Sequence, residues 1–214
     1  MRNFFVFEGL DGSGTTTQMN AVGERLRQMG SAVKLTAEPT GDETGRLLRR
    51  CLSGEISVPK STMAYLFAAD RHEHVFGRNG ISESARNNIV ICDRYLYSSF
   101  AYQGDDRLRR LVGDLNRGFP VPELVVWLDV PPETCVERMS KRDGKPEIYE
   151  NLEYLKGVHE RYEAMFTGKM SMGFENLNVL RIDGTLPKEV ITDRIVSAIR
   201  GLRKTRGNSI GGRS

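Results

Sequence analysis

The chain is poor in cysteine: three in 214 residues. Cys51, Cys92 and Cys135 are odd in number, lie far apart and show no CxxC spacing. That argues against a disulfide framework and against a zinc cluster, and the expected setting is reducing and cytoplasmic. Long apolar runs are also absent, since no stretch approaches the ~20 residues a membrane span requires. The strand-like run at residues 2–7 lacks the basic region, long apolar region and small-residue cleavage site of a secretory leader, so none is expected. Excess charge of one sign is missing too. With 31 Lys and Arg against 28 Asp and Glu, the net charge is +3, and the basic residues are scattered, so a nucleic-acid groove is not required. Histidine is scarce. His72 and His74 stand two apart on a helical pattern and face different directions, which makes a shared metal site unfavourable, and they and His159 read as ordinary residues. The single tryptophan, Trp127, sits inside an apolar run and reads as core, and Met165, Met170 and Met172 read as packing.

What is present is a rhythm. Four short β-rich runs, residues 3–8, 32–37, 88–93 and 124–130, and a weaker fifth at 178–182, alternate with helical patterns. The first helical pattern, 16–29, stops at Gly30, and the last, 187–202, opens with Pro187 at a suitable first position. Runs such as Ile89-Val90-Ile91-Cys92 and Leu124-Val125-Val126-Trp127-Leu128 are apolar on both sides of the period, as strands buried on both faces must be. The expectation is an α/β fold: a five-stranded parallel sheet with helices on both faces, forming one domain over residues 1–204. The Gly/Ser/Arg-rich segment 205–214 reads as a flexible basic tail. Ligands in such folds bind beyond the carboxyl ends of the strands.

Directly after the first run comes Gly9-Leu10-Asp11-Gly12-Ser13-Gly14-Thr15-Thr16-Thr17. The glycines let successive N–H groups point inward, and the start of a helix adds partial positive charge at the same spot. The spacing matches the phosphate-loop pattern G-x-x-x-x-G-K-[ST] except that Thr15 stands where lysine belongs. The loop is therefore the candidate ATP site, through Gly9, Asp11, Gly12, Ser13, Gly14, Thr15, Thr16 and Thr17, with the Thr16 hydroxyl placed to ligate Mg²⁺. Threonine supplies no charge, so another cation is expected at the phosphates. The candidates are Arg138, Lys141, Arg142 and Lys145, in a mobile basic lid at about residues 138–150. On the acceptor side, the third run ends in Asp93-Arg94-Tyr95. Asp93 can hold Mg²⁺, and Arg94 can grip a phosphate with two parallel N–H bonds.

Phe7-Glu8-Gly9-Leu10-Asp11-Gly12-Ser13-Gly14, then Glu38-Pro39, Leu66-Phe67-Ala68-Ala69-Asp70-Arg71, Asp93-Arg94-Tyr95, Ser98-Ser99-Phe100-Ala101-Tyr102-Gln103-Gly104 and Leu128-Asp129-Val130-Pro131 together resemble the thymidylate kinase family. The set is ordered and spans nearly the whole chain. The resemblance implies a P-loop nucleoside monophosphate kinase fold and Mg²⁺-dependent transfer of a phosphoryl group from ATP to dTMP in a cytoplasmic homodimer. It also implies a dTMP site: Phe67 stacking on thymine, Arg71 donating to a base carbonyl, Ser99 and Gln103 at the base edge, Arg94 on the acceptor phosphate, Tyr102 under the deoxyribose, and Asp11 near the sugar 3′-hydroxyl or the metal. Asp11, Arg94, Arg138 and Arg142 form the implied catalytic set. Two departures stand out. Thr15 replaces the loop lysine, and Ala37 replaces an arginine that often precedes Glu38-Pro39. Thr15 also leaves open a nucleotide-binding protein without turnover, and the fold leaves open another nucleoside or nucleotide as acceptor.

Overall fold

The computed structural model describes residues 1–104, 107–141, 151–170 and 177–210, with side chains followed as far as residue 204. Along the chain come β1 (Phe4–Gly9), α1 (Thr15–Gln28), β2 (Val33–Ala37), α2 (Glu43–Leu52), α3 (Lys60–Phe76), α4 (Ile81–Ser84) and β3 (Ile89–Asp93). Then follow α5 (Leu96–Gln103), α6 (Arg109–Asn116), β4 (Leu124–Asp129), α7 (Pro132–Ser140), α8 (Leu152–Phe166), β5 (Val179–Asp183) and α9 (Lys188–Ile210). The strands form one parallel sheet in the order β2-β3-β1-β4-β5. The five expected strands are the five observed. After β3 the chain crosses β1 to build β4 on its far side, and this reversal opens a crevice above the carboxyl ends of the central strands.

The period of two along β1 sorts its residues between two layers. Phe5 and Phe7 pack with Ile91 and Val126 against Met19, Val22 and Leu26 of α1 and against Ile191, Ile195 and Ile199 of α9. Phe4 and Val6 pack with Val90, Val125 and Trp127 against Leu96 and Phe100 of α5 and against Leu155, Val158 and Tyr162 of α8. Each such side chain, fully withdrawn from water, contributes about 1.5–3 kcal/mol. Glu8 is next in the second series and is 0 % exposed.

The helix ends follow local chemistry. α1 closes in a Schellman turn: Gly30, at φ +81°, sends its N–H to Arg27 O, and Ser31 sends its N–H to Leu26 O. Pro132 opens α7, where its missing N–H costs nothing. The side chain of Asn151 caps α8 by accepting from Tyr154 N at 2.7 Å. α9 runs on to Ile210, so its backbone takes in residues 205–210 of the segment expected as a tail. No proline interrupts that stretch to stop the helix. Residues 211–214 lie outside the described ones. No helix among the described residues is long and apolar enough to cross a membrane.

Candidate active site

The loop between β1 and α1 is shaped by its glycines. Gly12 and Gly14 have φ of +85° and +96°, the left-handed region that side chains disfavour. At Gly12 space is short as well, because a Cβ would stand 2.6 Å from Cys135 O of α7. Ser13 N donates to Leu10 O at 3.0 Å and closes the turn. The Ser13 hydroxyl is buried with no partner among the described residues. A buried hydroxyl left in this way beside a helix N-terminus suits an anion.

The end of β3 meets this loop. Thr16 Oγ1 donates to Asp93 Oδ2 in a short hydrogen bond, while Asp93 Oδ1 is buried without a partner among the described residues. A hydroxyl and a half-satisfied carboxylate at one point form a donor set that fits a hard divalent cation. Gly12, Gly14, Thr15, Thr16, Thr17, Asp93 and Arg94 line one crevice, with Leu10 and Asp11.

Arg94 follows directly, at φ +69°. A branched or long side chain rarely adopts that conformation, and it persists only where its surroundings hold it. Three contacts do so. Nη2 donates to Asp11 Oδ1 at 2.6 Å, Nη1 donates to Ser98 Oγ at 3.2 Å, and the guanidinium lies 5.1 Å from the centre of the Tyr102 ring. Burial disfavours the charge on Arg94, but Asp11, with Tyr102, Tyr162 and Asp93, outweighs it and holds the pKa well above the ordinary arginine value. The cation is permanent.

Beside Arg94 lies a cavity of about 250 Å³ whose walls include Asp11, Phe67, Arg71, Tyr102 and Gln103. Gln103 Oε1 is buried with no partner among the described residues. Arg71 is 1 % exposed. Its Nε donates to Glu38 Oε2 at 2.8 Å, Nη2 to Ser99 Oγ at 3.1 Å and Nη1 to Asn116 Oδ1 in a short bond. Nη2 also pairs with Glu38 at 2.8 Å, which leaves a hydrogen of Nη1 for a ligand. Ser99 does not line the cavity. It is 2 % exposed and stands behind Arg71 as its acceptor, where it holds the guanidinium.

Other placements depart from the sequence reading. Glu38 joins the site fully, bound to Arg71 and, at 3.1 Å, to His74 Nδ1. His74 is therefore no ordinary surface residue, since its Nε2 also meets Thr36 Oγ1 at 2.6 Å. The loop that carries the cis Glu38–Pro39 peptide is anchored by Asp70, which accepts from Thr40 N at 2.8 Å and from Thr40 Oγ1 at 2.6 Å. Arg49 of α2 lines the cavity with its guanidinium on Pro39 O and Thr40 O. In the sequence it is one of several arginines along an exposed helical pattern, with nothing local to single it out. Glu8 went unassigned as well. It accepts from Tyr95 N at 2.9 Å, Ser98 Oγ at 2.7 Å and Tyr162 Oη at 2.8 Å. Burial raises its pKa to about 7 against these hydrogen bonds and the charge of Arg94. The signal for it in the sequence is an acid at a core-facing step of an apolar strand.

Among the lid candidates, Arg138 on α7 reaches the phosphate loop: Nη1 lies 3.3 Å from Ser13 O and 3.5 Å from Gly12 O, and Nη2 lies 3.1 Å from Gly184 O after β5. Lys141 instead pairs with Glu137 at 2.6 Å on the surface. Arg142 and Lys145, like the rest of 142–150, lie outside the described residues.

The family model described as "Thymidylate kinase" matches residues 7–195. The "Putative thymidylate kinase" of Treponema pallidum is 40 % identical over 205 residues, covering 95 % of this chain and 98 % of the relative. The "Probable thymidylate kinase" of Methanococcus aeolicus is 36 % identical over 205 residues, covering 92 % and 100 %. The "Thymidylate kinase" of Leptospira interrogans is 35 % identical over 184 residues, covering 85 % of each. Matched along almost its whole length, and carrying a phosphate loop that meets Asp93 and Arg94 in one crevice, this chain belongs to the thymidylate kinase family.

Proposed function

We propose that this chain transfers the γ-phosphoryl group of ATP to dTMP, giving ADP and dTDP. The observation that carries the reading is the convergence of the loop amides and the Asp93-Arg94 strand end on one crevice. In-line transfer needs donor and acceptor phosphates side by side, with their charge neutralised. The loop from Gly9 to Thr17 holds the ATP phosphates. Thr16 and Asp93 would hold Mg²⁺, which would supply charge neutralisation on the polyphosphate. Arg94 receives the acceptor phosphate with Nη2 while Nη1 stays on Ser98. That requires Asp11 to give up or share its contact, which frees its carboxylate for the sugar or the metal.

Phe67 offers a flat face to thymine, Arg71 Nη1 and Gln103 offer groups to the base edge, and Tyr102 bounds the sugar. A phosphate acceptor is already anionic, so no general base is needed and a cation is. Arg138, already on the phosphate loop, stands in for the missing loop lysine, with Arg142 as the second candidate cation.

The cytoplasmic reading is supported by three free, buried cysteines. A homodimer built on α3 is supported by Tyr65 and Phe76, which are 55 % and 50 % exposed. Light scattering at several concentrations checks it, and a monomer at every concentration would refute it. The activity is tested by coupled ADP release with dTMP, dUMP, CMP and thymidine offered separately and in competition. Turnover with dTMP well above the others is expected, and binding without turnover would overturn the reading.

A further inference from the structure

Glu8 occupies a place where an aliphatic side chain would be ordinary. The alternation of β1 sets it after Phe4 and Val6 on the face covered by α5 and α8. Yet three donors converge on its carboxylate: Tyr95 N on Oε1, and the Ser98 and Tyr162 hydroxyls on Oε2. An ionised carboxylate only accepts, so this arrangement suits its anionic form.

The Ser98 hydroxyl carries the consequence. Its oxygen accepts from Arg94 Nη1 at 3.2 Å, so its own hydrogen must leave in another direction. Glu8 Oε2, at 2.7 Å, takes it. The other neighbour, Tyr162 Oη at 3.0 Å, already donates to the same carboxylate oxygen. The polarity of the chain is thus set from Arg94 through Ser98 to Glu8. When a phosphate takes the Nη2 side of Arg94 from Asp11, the Nη1 contact to Ser98 is what keeps the plane of the guanidinium.

We propose that Glu8 is a positioning residue for the acceptor phosphate, fixing the fork of Arg94 through Ser98 and tying α8 to that fork through Tyr162. The proposal rests on Arg94 being the ligand of the acceptor phosphate. Misplacement of such a group by a fraction of an ångström weakens the grip on the phosphate without touching the ATP side.

The test compares wild type, Glu8→Gln, Ser98→Ala and the double variant by initial rates with dTMP and ATP varied in turn. Glu8→Gln keeps the shape but turns a donor toward a donor. It is expected to raise KM for dTMP about tenfold, with KM for ATP unchanged and kcat lowered by less than KM rises. The double variant is expected to be no worse than the worse single one, because both remove the same relay. A folded Glu8→Gln protein with unchanged KM for dTMP, or single effects that multiply in the double variant, would overturn the proposal. Should Glu8→Gln fail to fold, Ser98→Ala and Tyr162→Phe decide. Each is expected to raise KM for dTMP while sparing KM for ATP, and unchanged values in both would overturn it. Wild type inactive on dTMP would sink the activity and this inference together. An active wild type with unaffected variants sinks the inference alone.

Discussion

Asp11 and Tyr102, 91 residues apart, exchange two hydrogen bonds: Asp11 N donates to the tyrosine hydroxyl at 3.1 Å, and that hydroxyl donates to Asp11 Oδ2 at 2.9 Å. The exchange fixes the carboxylate so that Oδ1 faces Arg94. Tyr102→Phe removes both hydrogen bonds from a half-buried pair, at about 0.5–1.5 kcal/mol each, so it is expected to cost about 1–3 kcal/mol of stability. It should also lower kcat/KM for dTMP. Urea denaturation and initial rates check both effects, and an unchanged denaturation midpoint would refute the first.

Arg94 is expected to be irreplaceable even by lysine. Arg94→Met removes the cation proposed to hold the acceptor phosphate and is expected to reduce kcat/KM for dTMP by on the order of 10³-fold or more. Arg94→Lys keeps the charge but loses the fork that serves Ser98 and the phosphate together, and should recover only a small part. Lysine restoring most of the rate would show that charge alone suffices.

The missing loop lysine gives a paired prediction. Arg138 lies on the loop carbonyls, so Arg138→Met is expected to lower kcat by roughly 10²- to 10³-fold. Thr15→Lys in the otherwise native chain should add little, yet should restore much of the loss in the Arg138→Met background, since Thr15 lines the crevice of the loop whose carbonyls Arg138 holds. A large rate gain from Thr15→Lys alone would mean that the native site lacks a cation at the phosphates.

Glu8 is expected to make the stability of the protein depend on pH below neutrality. Facing it are Arg94 and Tyr95 at the start of α5, Ser98 and Tyr97 on α5, Cys92 on β3 and Tyr162 on α8. With its pKa raised from 4.5 to about 7, the folded protein keeps a proton that the unfolded chain loses across that window. Stability should therefore fall as pH rises from 4.5 to about 7, by up to roughly 3 kcal/mol, and level off above. Glu8→Gln should abolish this slope. Below about pH 7 the protonated carboxyl no longer accepts fully from Ser98, so KM for dTMP should rise on acidification. The acceptor phosphate itself titrates near pH 6, so the measurement is the difference between wild type and Glu8→Gln. That difference should vanish in acid, and a constant ratio would refute it.

Gly12→Ala is expected to damage the phosphate loop from two directions, positive φ and a Cβ 2.6 Å from Cys135 O. A loss of several kcal/mol in stability or of ATP binding should follow. Full ATP affinity in the folded variant would contradict it.

What could be read from the residues in order was whatever depends on neighbours along the chain. Buried parallel strands announce themselves as apolar runs, a phosphate loop as glycines at set intervals, and the Asp93-Arg94 pair as charge at the end of such a run. Face, turn and strand end are local properties, and they sufficed for the sheet and for naming the loop and the strand end that line one crevice. The structure decided which polar groups meet inside. Glu8 finds its donors 87, 90 and 154 residues away, and Arg71 draws Ser99 from α5, Asn116 from α6 and Glu38 from the loop after β2. Arg49 and His74 look like ordinary helix residues until packing turns them inward, and nothing local separates Arg138 from the other lid candidates. Burial obliges each of these groups to find a partner, but packing alone selects which one.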